Sequence, residues 1–128
     1  MQRFSSGSPF EAQIGYSRAV RHEDTVYVSG TTGYDYRTMI LPEDAGAQAR
    51  NALSTIAAVL SEAGSDITDV VRVVYYLRDR ADVDAVLAAA GPVFRDIRPA
   101  ATMLIAGLMQ PEMKVEIEVT ARIGAGRS

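Results

Sequence analysis

A chain of 128 residues, 48% hydrophobic and 23% charged, has the length and composition of one globular domain that can bury a core without covalent staples. It has no cysteine, which excludes disulfides, a thiolate nucleophile and zinc-finger patterns, and a formal net charge of -3 gives no electrostatic footprint for nucleic acid. The single histidine, His22, lies in the polar run Arg21-His22-Glu23-Asp24 and reads as a turn residue, so no metal site is expected.

The N-terminus has no charged region ahead of an apolar core, and no apolar run approaches the roughly 18 residues of a membrane span. A cytoplasmic protein without membrane association is the expectation.

In chain order, residues 2–5 predict a short edge strand, ended by the turn chemistry of Ser6-Gly7-Ser8-Pro9. Residues 14–20 and 25–29 predict a hairpin turning near Glu23-Asp24. If residues 16–20 are extended, Tyr16 and Arg18 share a face, where they form either a carboxylate-binding pair or a plain surface pair. Gly30-Thr31-Thr32-Gly33 is neither a Walker loop nor a dinucleotide fingerprint. It reads as a loop in which Gly30 permits a tight turn or lets a ligand approach the backbone.

Pro42-Glu43-Asp44 predicts the start of a helix with an apolar stripe at Ala49, Ala52, Leu53, Ile56, Leu60 and Ala63, closed by a left-handed Gly64. Residues 70–77 hardly alternate and predict a central strand, entered through a β-α-β crossover that makes part of the sheet parallel. A second helix starts near Asp79 and presents Val83, Val86, Leu87, Ala90 and Phe94 to the sheet. Gly91-Pro92 is expected to interrupt it, and Arg98-Pro99 to end it. Residues 124–128 are expected to form a flexible tail after a domain spanning residues 1–123.

The runs 101–106 and 113–121, separated by Gly107 and Pro111, predict a second hairpin. In the last run Val115, Ile117, Val119 and Ala121 fall on one face, and Glu116 and Glu118 on the other, about 7 Å apart. Those two acids describe either a solvated sheet face or a general acid/base in a cleft. Two helices cover only one face of such a sheet, so the bare face is expected to meet another copy of the chain, whose boundary would enclose Glu116.

Across nearly the whole chain these residues resemble the RidA/YjgF family, also labelled endoribonuclease L-PSP. The resemblance is carried by Ile-Gly-Tyr at 14–16, Val-Ser-Gly at 28–30, Ala-Gln-Ala-Arg-Asn-Ala-Leu at 47–53, the strand at 69–77, and Arg-Pro-Ala followed by Val-Glu-Ile-Glu-Val. It implies an α+β, chorismate-mutase-like fold: a mixed sheet of about six strands with two helices on one face, assembled as a homotrimer with ligand clefts between subunits. It also implies cofactor-free hydrolysis of small enamines and imines to a keto acid and ammonia.

Carried over by position, Glu116 is the water-positioning acid, Tyr16 lines the cleft and the backbone at Gly30 borders it. The family's substrate-anchoring arginine falls on Ala101, two residues before Met103 on the same strand. This departure suggests an outlying subgroup in which Arg18 or Arg98 supplies the positive charge for a small ligand, an anionic one being the case that needs it; the other reading of Arg98 is capping of helix-end carbonyls. Three functions follow: an imine or enamine deaminase, a non-catalytic metabolite-binding trimer and, last, a ribonuclease or translation inhibitor.

Overall fold

The structure is a computed structural model describing residues 1–127. Six strands form one sheet: β1 (Gln2–Phe4), β2 (Ala19–His22), β3 (Thr25–Thr31), β4 (Val70–Leu77), β5 (Ala100–Ile105) and β6 (Val115–Arg122), in the order β1-β2-β3-β6-β4-β5. β4 and β5 are parallel, and every other neighbouring pair is antiparallel. Three helices connect them: α1 (Pro9–Ile14), α2 (Ala45–Glu62) and α3 (Val83–Phe94).

β6 holds the centre because its alternation suits a strand covered on one face. Val115, Ile117, Val119 and Ala121 are buried and the residues between them are half-buried. The buried set joins the α2 stripe and Val86, Ala89, Ala90 and Phe94 of α3 in one core, so α2 and α3 lie on the same face.

Several expectations are corrected. The runs after Pro99 do not form a hairpin. β4 lies between β5 and β6, and β5 pairs in parallel with β4 across the α3 crossover. The crossover through α2 does join two strands of like direction, β3 and β4, but β6 is inserted between them.

α2 starts at Ala45, three residues after Pro42, with the Asp44 carboxylate accepting from the Ala47 N–H at 2.9 Å. Pro92 lies inside α3 without ending it. The carbonyl that its missing N–H leaves without a helical partner belongs to Ala88, an exposed residue. Leu87, expected to face the sheet, is exposed. β4 is not buried throughout, since Val71 and Arg72 are exposed beside a register shift.

Of the segment expected to extend from residue 14 to residue 20, Ile14 is the last residue of helix α1 and only Ala19 and Val20 lie in β2. Ser8 caps α1 by accepting from the Phe10 N–H at 3.2 Å, Pro9 takes the first position, and Gly15 closes it at φ 89°. The tail carries a 3-10 turn at Ala125–Arg127, tied by the Gly126 N–H to Asp69 Oδ1 at 2.9 Å. Ser128 lies outside the described residues.

Candidate active site

The site begins with an irregularity in β3. Its register against β6 runs evenly from Thr25 to Val28, then shifts before Thr31 pairs with Ile117. Such a bulge re-aims the backbone, and here it brings Gly30 against the outward side chain of Glu116. A methyl group on Gly30 would lie 2.5 Å from Glu116 Oε1 and 2.8 Å from its Cδ. The glycine is required by that approach, because any side chain would occupy the space of the carboxylate.

Gly30 and Glu116 share a cavity of about 320 Å3 with Tyr16, Ser29, Thr32 and Tyr36, closed by Phe10 and Ile14 of α1 and by Met109 and Met113 of the loop before β6. Among the described residues, no lysine, arginine or histidine lines it. Fully buried Gln48 holds that loop in place. Its amide donates to the carbonyls of Pro42 and Glu112 at 2.7 and 3.1 Å and accepts from the Lys114 N–H at 2.8 Å.

Burial pushes the Glu116 carboxyl above the ordinary glutamate value; the Arg18 charge works against that rise and Glu118 adds to it. The two acids of β6 therefore have different surroundings. Tyr76 donates its hydroxyl to Glu118, whereas only burial and neighbouring charges act on Glu116. Burial also raises the Tyr16 phenol, against the pull of Arg18, so it stays protonated at neutral pH.

Arg18 is 1% exposed and stands behind the cavity wall. Its Nη1 donates to the Gly30 carbonyl at 2.7 Å and to Thr31 Oγ1 at 3.0 Å, and its Nη2 donates to the Tyr16 hydroxyl at 2.9 Å. The Tyr36 ring lies 4.8 Å from the guanidinium, and Nε is buried without a partner. Because Tyr16 accepts from Arg18, its own hydroxyl hydrogen is free to be donated elsewhere. The Tyr16–Arg18 contact expected from an extended strand is made, although β2 begins only at Ala19.

The structure thus brings Tyr16, Gly30 and Glu116 together, with Arg18 behind them. Arg98, Ala101 and Met103 are not in this cavity. Register places Thr102 and Leu104 on the Glu116 face of the sheet and turns Ala101 and Met103 to the helical face, where Met103 packs on the core. Arg98 is exposed at φ 54°, and its backbone N–H donates to the Phe94 carbonyl at 2.9 Å.

Sequence reasoning missed Phe10 and Ile14, although Ser8-Pro9 followed by Glu11 is a helix-start pattern. It also missed Tyr36, Met109 and Met113, for which no local pattern exists. A second, wider cleft of about 580 Å3 lies between residues 34–37, Ser5, Ser6 and the outer side of α2. Among the described residues no group of three or more acids and imidazoles could hold a metal, and no helix is long and apolar enough to cross a membrane.

Comparison with known proteins gives the family. The chain is 35% identical over 109 residues to the 3-aminoacrylate deaminase RutC of Acinetobacter baylyi, covering 84% of this chain and 86% of that protein. A YjgF-family crystal structure from Mycobacterium tuberculosis superposes with a TM-score of 0.86 at 39% identity, covering 95% of this chain and 98% of the other. RidA of an Antarctic Psychrobacter superposes with a TM-score of 0.86 at 31% identity, covering 96% of this chain and all 100% of that one. Residues 7–123 match the family described as Endoribonuclease L-PSP, and the chain belongs to that family, the RidA/YjgF proteins.

Proposed function

We propose that this protein is a cofactor-free hydrolase of small imines or enamines, working in a cleft that a neighbouring subunit of a homotrimer completes. The observation that carries the reading is the desolvated Glu116 carboxyl in one cavity with the protonated Tyr16 phenol. In the reaction the imine enters protonated at nitrogen, an enamine reaching the same iminium by taking a proton at its β-carbon, and the oxygen of a water adds to the iminium carbon while Glu116 takes a proton from it. The neutral carbinolamine then receives that proton at nitrogen from Glu116 and expels ammonia with the C–N electron pair while its hydroxyl proton passes back to the carboxylate, leaving a carbonyl. Tyr16 donates a hydrogen bond to the reacting group.

A deaminase among the relatives supports C–N hydrolysis as the class. Self-association is supported by the exposed apolar residues Tyr27 and Leu104 on the face of the sheet that α2 and α3 leave uncovered. Ribonuclease chemistry has no support in the cavity, whose lining contains no cationic group to meet a phosphate.

A second reading, a trimer that binds a small metabolite without turning it over, is favoured by one observation. Ala101, the position on which the resemblance puts the family's arginine, carries no charge to anchor a substrate. The test generates imines in situ with an amine oxidase or an amino-acid oxidase and follows their loss against trapping by semicarbazide. Hydrolysis that disappears in Glu116→Ala supports the enzyme. Ligand-induced thermal stabilisation without any turnover selects the binding protein.

A further inference from the structure

The lining of the Glu116 cavity restricts what it accepts, and the restriction rests on the reading of this site as an imine hydrolase. The cavity is lined by one carboxyl group, that of Glu116, and by the apolar residues Phe10, Ile14, Met109 and Met113. The buried cation Arg18 is not among the residues that line it. Both its Nη atoms are taken by the Gly30 carbonyl, Thr31 and Tyr16, and the side chain is 1% exposed.

A carboxylate-bearing substrate would therefore bring a second negative charge beside Glu116 in a partly desolvated space with no donor fork to receive it. A neutral imine, or its protonated iminium form, meets the opposite situation, because the developing positive charge at nitrogen is stabilised by the carboxylate. A neighbouring copy that closed the cavity with its edge strand β5, Ala-Ala-Thr-Met-Leu-Ile, would add no charge. The thioethers of Met109 and Met113 adapt to flexible apolar chains.

We infer that the cavity is specific for uncharged imines and enamines that carry an apolar substituent and no carboxylate. Water adds at carbon, the C–N bond breaks, and the products are an aldehyde or ketone and ammonia or an amine. The reaction that supplies such a substrate must oxidise or eliminate from a simple amine, not an amino acid.

The experiment compares two imines with the same branched side chain. One is formed from isoamylamine by a flavin amine oxidase, the other from leucine by an amino-acid oxidase. Each is followed by semicarbazone formation with and without the purified full-length protein. At least a ten-fold greater acceleration of the isoamylamine-derived imine is expected, with the preference narrowed or reversed in Met109→Lys, an exposed position where a new cation leaves the core intact.

Equal or greater acceleration of the leucine-derived imine overturns this inference and leaves the hydrolase reading standing. Loss of that acceleration in Arg98→Ala would then identify the cation supplying the anchor. Acceleration of neither imine overturns the hydrolase reading and this inference together.

Discussion

Replacing Gly30 with alanine should remove activity without unfolding the protein. The added methyl would lie 2.5 Å from Glu116 Oε1, against an ordinary contact of 3.4 Å or more. The carboxyl must therefore retreat by about 0.9 Å, and a misplacement near 1 Å costs roughly a hundred-fold in rate, or about 2.7 kcal/mol of transition-state stabilisation. Stability should hardly change. The atom that gives way is the end of a flexible, half-buried side chain, and alanine at a position with ordinary φ removes unfolded-state entropy worth about 0.4–1 kcal/mol. A thermal melt should thus stay within a few degrees while kcat/KM for imine hydrolysis falls. Gly107→Ala, with open space around the new methyl, is the control expected to keep full activity. Shortening the acid in the Gly30→Ala, Glu116→Asp double variant should recover part of the loss. Activity within two-fold of wild type for Gly30→Ala would refute the placement of Glu116 as the reacting group.

Other perturbations have equally definite outcomes. The folded-state value of Glu116 is raised, so its contribution to stability is present below the unfolded value and lost as pH rises through the folded one. Glu116→Gln should therefore melt higher than wild type at and above neutral pH, with the advantage vanishing near about pH 4. Arg18→Met keeps the bulk but removes the charged donors to Gly30, Thr31 and Tyr16. Against the relief of desolvating a guanidinium it should cost about 2–4 kcal/mol by chemical denaturation, and it should move the pH dependence of the Glu116 step further upward. Gln48→Ala frees the backbone at Pro42, Glu112 and Lys114 and should cost about 2–4 kcal/mol. It should also raise KM more than it lowers kcat, because Met109 and Met113 lose their fixed loop.

What could be read from the sequence was local periodicity. The alternation of Val115, Ile117, Val119 and Ala121 marked β6 and put Glu116 on the outward face, and the α2 stripe and the strand Val70–Leu77 were equally plain. Pairing was less legible. Residues 101–106 and 113–121 have the form of a hairpin, and only packing of α3 across the sheet turns β5 into the parallel partner of β4. α1 was hidden because six residues are too few for an apolar period to appear, although its cap and terminal glycine were present.

The site was legible in its chemistry and not in its geometry. Tyr16 and Glu116 stood out by residue type and by resemblance, but their meeting depends on a bulge at Ser29-Gly30 that no turn residue announces. Strand alternation beside Tyr16 makes Arg18 look like an available cation, and only the surrounding tyrosines and the Gly30 carbonyl show that it is enclosed, with both Nη atoms engaged.

The account depends on Glu116 being a desolvated acid in the Tyr16–Gly30 cavity, and carboxyl-carbon NMR titration of that side chain, assigned with Glu116→Gln, measures this directly. A midpoint above the ordinary glutamate value of about 4.3, rising further in Arg18→Met, is the predicted result. A midpoint at or below that value, indifferent to Arg18, would contradict it.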